Sequence, residues 1–196
     1  DADILMERSQ FEKFRNIMSS KTPNNYKLIR DNWVYRFCER IMVQYEGQTI
    51  NTVNTDIFVC DKVPLSKLLF KIQITTLKIL QGMIKEISKL KWKNRTLIQN
   101  IAQAVTWVLG LPFKLESKIK WYDKVSQMYN NNRDYIELFG SNDEFKDIDK
   151  TIPRSLFENI TTHKFRDSTF MILGDYDYYL TKWYGNYMKL PPKECQ

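Results

Sequence analysis

Residues 64–90 read PLSKLLFKIQITTLKILQGMIKEISKL, a stretch in which apolar side chains recur at a helical period. Spacings of mostly three or four place these side chains on one broad stripe of a helix. The stripe consists of Leu69, Ile72, Leu77, Leu80, Ile84 and Ile87. Pro64 suits the first turn of a helix, because its missing N–H would have no partner there. The segment therefore predicts a long helix with one face against a core.

Similar periodicity predicts helices on both sides of this segment. They cover residues 4–19, 29–45, 96–109, 115–129 and 168–189, with a short helix beginning at Thr151. Residues 48–63 are rich in Thr, Val, Ile and Asn, so we expect an irregular crossover there with a short strand. The fold class predicted is all-α: a long-chain, cytokine-like bundle of five or six helices with a long early crossover, forming a single domain over residues 1–196.

Composition narrows the class of protein. Of the 196 residues, 43% are hydrophobic and 14% aromatic, so the chain can bury a core and is not disordered. Gly and Pro number 6 each, fewer than an all-β fold with many turns needs. No apolar run of about 18 residues exists, which predicts no membrane insertion. The amino-terminal Asp1-Ala2-Asp3 has the character of a mature end left after processing, which favours a secreted protein.

The formal net charge of +7 favours an acidic partner, namely a receptor face, a glycosaminoglycan, a membrane surface or nucleic acid. An ordinary solvated surface is equally compatible with this charge. Basic and aromatic side chains alternate over residues 114–124, a pattern that could bind heparin or nucleic acid. We favour an amphipathic helix whose lysine stems cover apolar surface. Nucleic acid is therefore not the expected partner, and a glycosaminoglycan stays an alternative.

Residue types that perform chemistry are scarce. His163 is the only histidine and lies beside Lys164, so a Ser-His-Asp or Cys-His arrangement has little support. No Gly-rich phosphate loop is present. Acidic residues cluster over residues 143–149, but without the spacing and mid-loop Gly of a calcium loop. We therefore expect a non-enzymatic protein without a metal or cofactor.

Cysteines and glycosylation sequons fit a secretory route. Cys38 and Cys60 could close one loop, and we predict a disulfide between them, which leaves Cys195 over. Asn94-Arg95-Thr96 and Asn159-Ile160-Thr161 are acceptor sequons for N-glycosylation. We expect an extracellular glycoprotein in which Asn94, at a predicted break between helices, is occupied more than Asn159.

Residues 92–101, WKNRTLIQNI, resemble the region that joins the second and third helices of type I interferons. The shared features are a Trp in the turn, an Asn-x-Thr sequon, an aliphatic pair and a following Asn. The resemblance covers residues 77–111, and residues 156–184 more weakly resemble the last two helices of the family. Residues 1–63 show no match, and Ser168 stands where the family has a half-cystine.

The resemblance implies a secreted cytokine of antiviral defence that binds cell-surface receptor ectodomains and triggers or blocks signalling. Receptor contacts would then fall on the last predicted helix, at Asp175, Tyr178, Tyr179, Lys182 and Trp183. Helical spacing predicts that Tyr179 and Trp183 share one stripe. A second stripe should face the core, with Phe170, Leu173, Leu180 and Tyr184. The alternatives are a secreted helical binding or decoy protein and a basic heparin- or nucleic-acid-binding domain.

Overall fold

The computed structural model describes residues 2–20, 26–39, 42–45, 48–51, 54–85 and 96–189. Contacts divide the chain into two compact units, Asp1–Thr151 and Ile152–Gln196. Over the described ranges the first unit combines a mixed sheet with helices, and the second combines a hairpin with two helices. The all-α expectation is therefore wrong, since the protein is mixed α/β.

Strands and helices alternate at the beginning of the first unit, and helices follow in its second half. Its elements are β1 (Ala2–Glu7), α1 (Arg8–Ser20), β2 (Tyr26–Asp31), β3 (Val34–Glu39), β4 (Met42–Tyr45), β5 (Gln48–Asn51), β6 (Asn54–Lys62), α2 (Lys67–Ile84), α3 (Leu97–Gly110), α4 (Leu115–Ser126) and β7 (Glu137–Gly140), with β8 (Thr151–Pro153) at its end. The second unit holds α5 (Arg154–Glu158), β9 (Ile160–Phe165), β10 (Ser168–Leu173) and α6 (Tyr176–Tyr184).

Strand β6 is the centre of a sheet whose order over the described strands is β2-β3-β6-β7-β8, with β1 beside β6. β1 runs parallel to β6, so that Ala2 lies opposite Thr55 and Glu7 opposite Cys60. β3 and β7 pair antiparallel with the first and last parts of β6. Three strands therefore take their positions from β6, while β4 and β5 pair with each other as a separate hairpin.

The predicted helix over residues 29–45 is wrong, because this region forms β2, β3 and β4. Its apolar residues are four apart, and a spacing of four returns to the same face of a strand as well as of a helix. β-branched and aromatic residues then favour the strand. Asn32, with a φ of 56°, forms the turn between β2 and β3, where a left-handed residue fits a hairpin.

Helix α2 has a buried side and an exposed side. Ser66 caps its first turn, where its side chain accepts a hydrogen bond from the Leu69 N–H. The buried side packs into a core cluster that includes Ile74, Leu77, Leu80, Met83, Ile84, Tyr122 and Phe139. Leu69 and Ile72, which belong to the predicted core stripe, are exposed instead. Ile87 of that stripe lies outside the described residues.

Helix α3 packs against α2 through a close backbone approach. A Cβ atom on Gly82 would meet the Thr106 hydroxyl oxygen at 2.2 Å, and Gln103 donates a hydrogen bond to the Gly82 carbonyl. Thr96 and Gln99 form a capping box at the start of α3. Four aliphatic side chains at helical spacing on α3 are exposed: Leu97, Ile101, Val105 and Val108.

The second unit contains a hairpin where the sequence predicted helix. β10 occupies the first part of the predicted helix over residues 168–189, and α6 occupies the middle. Arg166, with a φ of 53°, lies in the turn between β9 and β10. Phe170 and Tyr184, which were expected to pack inward, are exposed. Only the α6 part of the predicted last helix is therefore correct.

Leu77→Ala should lower the free energy of unfolding by about 2–5 kcal/mol, because it empties a fully buried site between α2 and its neighbours. Leu68→Ala on the same helix is the matched control, and it should change stability by less than about 1 kcal/mol because Leu68 is 67% exposed. Urea denaturation of the two variants measures the difference. Equal losses would contradict the assigned orientation of α2.

Candidate active site

Two aspartates from neighbouring strands meet on one face of the sheet. In the parallel ladder of β1 and β6, Asp3 is the register partner of Asp56. Neighbouring strands lie about 4.8 Å apart, and partners in register project from the same face. This face is opposite to the one on which Ile57 and Val59 enter the core. The carboxyl groups of Asp3 and Asp56 therefore lie side by side, outside the core.

An arginine from the next strand completes the cluster. Arg36 on β3 is the register partner of Asp56, and its Nε donates a 2.7 Å hydrogen bond to Asp56 Oδ1. Its Nη1 lies 3.9 Å from a carboxylate oxygen of Asp31 at the end of β2. The side chains of Arg36 and Asp56 keep 34% and 21% of their exposure, so both are accessible to a ligand. The site thus combines an acidic pair with a guanidinium that can bind phosphate.

The acidic pair is electrostatically unfavourable as it stands. Burial raises the pKa of Asp3 above its ordinary value, and the neighbouring charge of Asp56 raises it further. A neighbouring negative charge disfavours ionisation of a carboxyl group, which is the effect of Asp56 on Asp3. Such a pair attracts a proton or a cation, which is typical of functional sites.

Asp61, near the other end of β6, is buried completely and paired. Arg8, the first residue of α1, donates to both of its oxygens, from Nε at 2.9 Å and from Nη2 at 2.6 Å. Asn130 Nδ2 donates to Asp61 Oδ1 at 2.5 Å. Although burial alone lowers the pKa of Arg8, its hydrogen bond to Asp61 raises it above the ordinary value. This pair fixes the junction of β1 and α1 against β6.

The turn after β7 fastens β6 by side-chain hydrogen bonds. Asn142 accepts from the Val59 N–H at 2.6 Å and donates to the Ile57 carbonyl at 2.7 Å. The Asn142 amide therefore satisfies backbone groups of β6 much as a neighbouring strand would. Tyr122 of α4 donates to the Ser141 carbonyl at 2.6 Å and connects the helices to the same turn. Burial raises the pKa of Tyr122, so it stays a neutral donor at physiological pH.

The residues predicted as receptor contacts lie in the second unit, on and beside α6. Asp175 caps this helix, with its carboxylate accepting from the Tyr178 N–H at 3.3 Å. Lys182 Nζ lies 5.7 Å from the centroid of the Tyr178 ring. Tyr179 and Trp183 stack with centroids 4.5 Å apart, which confirms that they share a stripe. None of these residues belongs to the Asp3–Asp56 cluster, which lies in the first unit.

The structure lacks the predicted bridge between Cys38 and Cys60. Cys60 is a buried free thiol whose pKa is raised by burial. Cys38 is the register partner of Asn54, six residues before Cys60 on β6. Six strand residues span about 20 Å, whereas a disulfide needs Cα atoms within about 7 Å. Cys195 lies outside the described residues.

The two predicted glycosylation sites have different outcomes. Asn94 lies outside the described residues. Asn159 is the exposed C-cap residue of α5, and its occupancy stays a prediction. For metals, no group of three or more His, Cys, Asp or Glu side chains that could hold an ion occurs within the described ranges. His163 lies on the exposed strand β9, as its isolation in the sequence suggested.

Sequence reasoning missed Asp3, Asp56 and Arg36. β6 falls in the segment interpreted as an irregular crossover with a short strand, and its sequence NTDIFVCDK contains both Asp56 and Asp61. Charged residues inside an otherwise apolar, β-forming run are costly unless they are paired or functional. That signal was available, but it does not identify Asp3 as the neighbour of Asp56.

Asp61→Ala should lower the free energy of unfolding by about 3–5 kcal/mol, because Arg8 would keep a buried charge without its partner. Glu158→Ala is the control, since it breaks an exposed pair with Arg154 and should cost no more than about 1 kcal/mol. Chemical denaturation gives both values. A small loss for Asp61→Ala would show that water reaches the Arg8 guanidinium.

Asp3→Asn should make the protein more stable than wild type at neutral pH, and this gain should shrink toward pH 3. The folded pKa of Asp3 is raised, so the folded wild type holds its proton more tightly and loses stability as pH rises through that pKa. Below about pH 3.9 Asp3 is protonated in both the folded and the unfolded wild type, and the stability difference between variant and wild type disappears. Denaturation at a series of pH values tests this, with Asp134→Asn in an exposed loop as the control. A gain independent of pH would contradict the electrostatic explanation.

Comparison with known protein families gives no match, and no solved structure matches the chain. Among curated proteins, the chain is similar to lipopolysaccharide cholinephosphotransferase LicD of Haemophilus influenzae. The two are 21% identical over 231 aligned positions, which cover 100% of this chain and 76% of the relative.

This similarity overturns the resemblance to type I interferons and the cytokine function that it implied. The mixed α/β fold is a second reason, because it excludes a helical bundle. The decoy and heparin- or nucleic-acid-binding alternatives gain no support. The similarity points towards an enzyme, against the expectation of a non-enzymatic protein. Along its whole length, the chain is similar to a transferase.

Proposed function

We propose that the protein transfers a phosphorylated alcohol, with choline phosphate as the first candidate, to a hydroxyl group of a glycan. The observation that carries the proposal is the acidic pair Asp3 and Asp56 beside the guanidinium of Arg36. The similarity to a lipopolysaccharide cholinephosphotransferase supplies the choice of transferred group and acceptor.

The reaction needs an activated donor, and a nucleoside-diphosphate ester of the alcohol is the chemical class that fits. An acceptor hydroxyl oxygen forms a bond to the phosphorus that carries the alcohol. The phosphoanhydride bond of the donor breaks, and a nucleoside monophosphate leaves. The hydroxyl proton passes to the Asp3–Asp56 pair, which acts as general base.

The three side chains divide the work by charge. Asp3 is a stronger base than an ordinary aspartate, because burial and Asp56 raise its pKa. Arg36 is placed to hold a phosphate oxygen by charge-assisted hydrogen bonds while Asp56 fixes its orientation. The acidic pair also fits Mg²⁺, which proteins commonly hold through one or two carboxylates together with substrate phosphates. A bound cation would lower the pKa of Asp3, so the pair serves either as base or as metal ligand. A bound Mg²⁺ would neutralise phosphate charge.

The predicted secretion of the protein does not depend on the proposed reaction. A secreted protein was predicted from the amino terminus and the sequons, and this finer statement stays a prediction. The occupancy of the exposed Asn159 is tested separately, because peptide mass spectrometry of protein from a eukaryotic secretory host would show whether it carries a glycan.

Asp56→Asn should lower kcat/KM for phosphocholine transfer by at least about 100-fold, because it removes the charge that strengthens Asp3 as general base and the carboxylate that orients Arg36. The assay follows nucleoside monophosphate release from a panel of nucleoside-diphosphate cholines with a lipopolysaccharide acceptor. The melting temperature should stay close to that of the wild type, because Asp56 lies outside the core.

Asp149→Asn is the matched control, since Asp149 is half exposed and pairs with Lys78 at 3.1 Å, away from the cluster. It should keep activity within about twofold of wild type. Full activity of Asp56→Asn, with its fold intact, would reject this cluster as the active site. Activity with sugar-nucleotide donors alone would instead reject the proposed transferred group.

A further inference from the structure

Helix α3 presents an apolar surface that the described structure does not cover. Five aliphatic side chains, between 52 and 78% exposed, lie on one side of this helix and form what we call the α3 face: Leu97, Ile98, Ile101, Val105 and Val108. Leu97 and Ile98 lie four and three residues before Ile101, and Val105 and Val108 continue at spacings of four and three, so all five fall on one broad helical stripe. Large continuous apolar patches of this kind mark interaction sites.

Exposed aromatic rings follow immediately after α3. Phe113, 44% exposed, and Trp121, 39% exposed, form an edge-to-face pair with centroids 4.9 Å apart. Lys114 lies next to Phe113, and Lys120 lies next to Trp121; both lysines are exposed. Aromatic rings beside lysine ammonium groups are the combination that favours the interface between water and lipid.

Charge decides which partner this surface fits. Helices α2, α3 and α4 together carry six lysines against two acidic residues, Glu116 and Asp123. Asp123 is already paired with Arg30, Lys78 is paired with Asp149, and Lys118 donates to backbone carbonyls, which leaves Lys67, Lys71, Lys120 and Lys124 against Glu116. The core of a protein–protein interface is depleted in lysine, whereas surface-lying membrane helices combine an aliphatic or aromatic face with lysine margins. The charge complements an anionic bilayer.

We propose that the α3 face and the Phe113–Trp121 pair dock on the surface of an anionic lipid bilayer. The proposed contact is peripheral. Among the described helices, none is both long and apolar enough to cross a membrane. The aliphatic side chains enter the boundary between headgroups and acyl chains, while Lys114 and Lys120 contact lipid phosphates. This inference is independent of the proposed transferase activity, because it concerns binding to lipid alone.

Sedimentation with lipid vesicles tests the proposal directly. The 196-residue chain should bind vesicles of phosphatidylcholine mixed with phosphatidylglycerol. Binding should be much weaker to phosphatidylcholine alone and should fall as sodium chloride is raised, because phosphate contacts by lysine are screened. The double variant Ile101→Gln/Val105→Gln should lower the partition coefficient by at least about tenfold, since it removes two aliphatic anchors.

Glutamine keeps helix propensity, so α3 should stay folded in this variant, and circular dichroism verifies it. The matched control is Ile17→Gln/Ile136→Gln, which removes two exposed apolar side chains that lie outside α2, α3 and α4 and should bind like wild type. Absent vesicle binding, unchanged binding of the α3 variant or equal binding to neutral vesicles would each overturn the proposal. A stable wild-type dimer that the α3 variant turns into a monomer, measured by light scattering, would also overturn it in favour of a second copy.

Discussion

The buried ion pair between Arg8 and Asp61 is the constraint on which the first unit depends. A buried, ionised carboxylate destabilises the fold unless it is paired with a cation and its remaining lone pairs accept hydrogen bonds. Arg8 provides the cation, and Asn130 donates a further hydrogen bond. Arg8 begins α1, where the helix dipole disfavours a cation, so Asp61 also offsets that cost. Because Arg8 directly follows β1, the pair fixes the register of β1 on β6 and thereby brings Asp3 beside Asp56.

Strand β6 separates structural from chemical groups by the alternation of its side chains. Ile57, Val59 and Asp61 project toward the side that holds the core and the ion pair. Asp56 projects to the opposite side, where Arg36 reaches it. The two aspartates of β6 therefore have different roles. Asp61 stabilises the fold, and Asp56 forms part of the acidic cluster. The Asn142 amide satisfies backbone groups of β6 between these two positions.

Local periodicity predicted the helices better than the sheet. The segments expected over residues 96–109 and 115–129 correspond to Leu97–Gly110 and Leu115–Ser126. Periodicity failed over residues 29–45, because apolar residues four apart fit a strand as well as a helix. It also placed Leu69 and Ile72 of α2 on the core-facing stripe although they are exposed, since a sequence pattern does not tell which apolar surface is covered. The pairing of β1 with β6 is non-local, so neither the acidic pair nor its function followed from the single sequence. The resemblance to interferons depended mainly on the short motif at residues 92–101, and the protein does not have the helical-bundle fold of that family.

The parallel pairing of β1 with β6 determines when the acidic cluster forms during folding. A parallel ladder needs a long connection, and here α1 and β2 to β5 intervene between the two strands. Closing so long a loop reduces the entropy of the chain before the stabilising contacts between the two strands have formed. Such pairings are therefore slow steps of folding. A nascent or partly unfolded chain thus holds Asp56 and Asp3 apart, so the acidic cluster exists only once the sheet has closed.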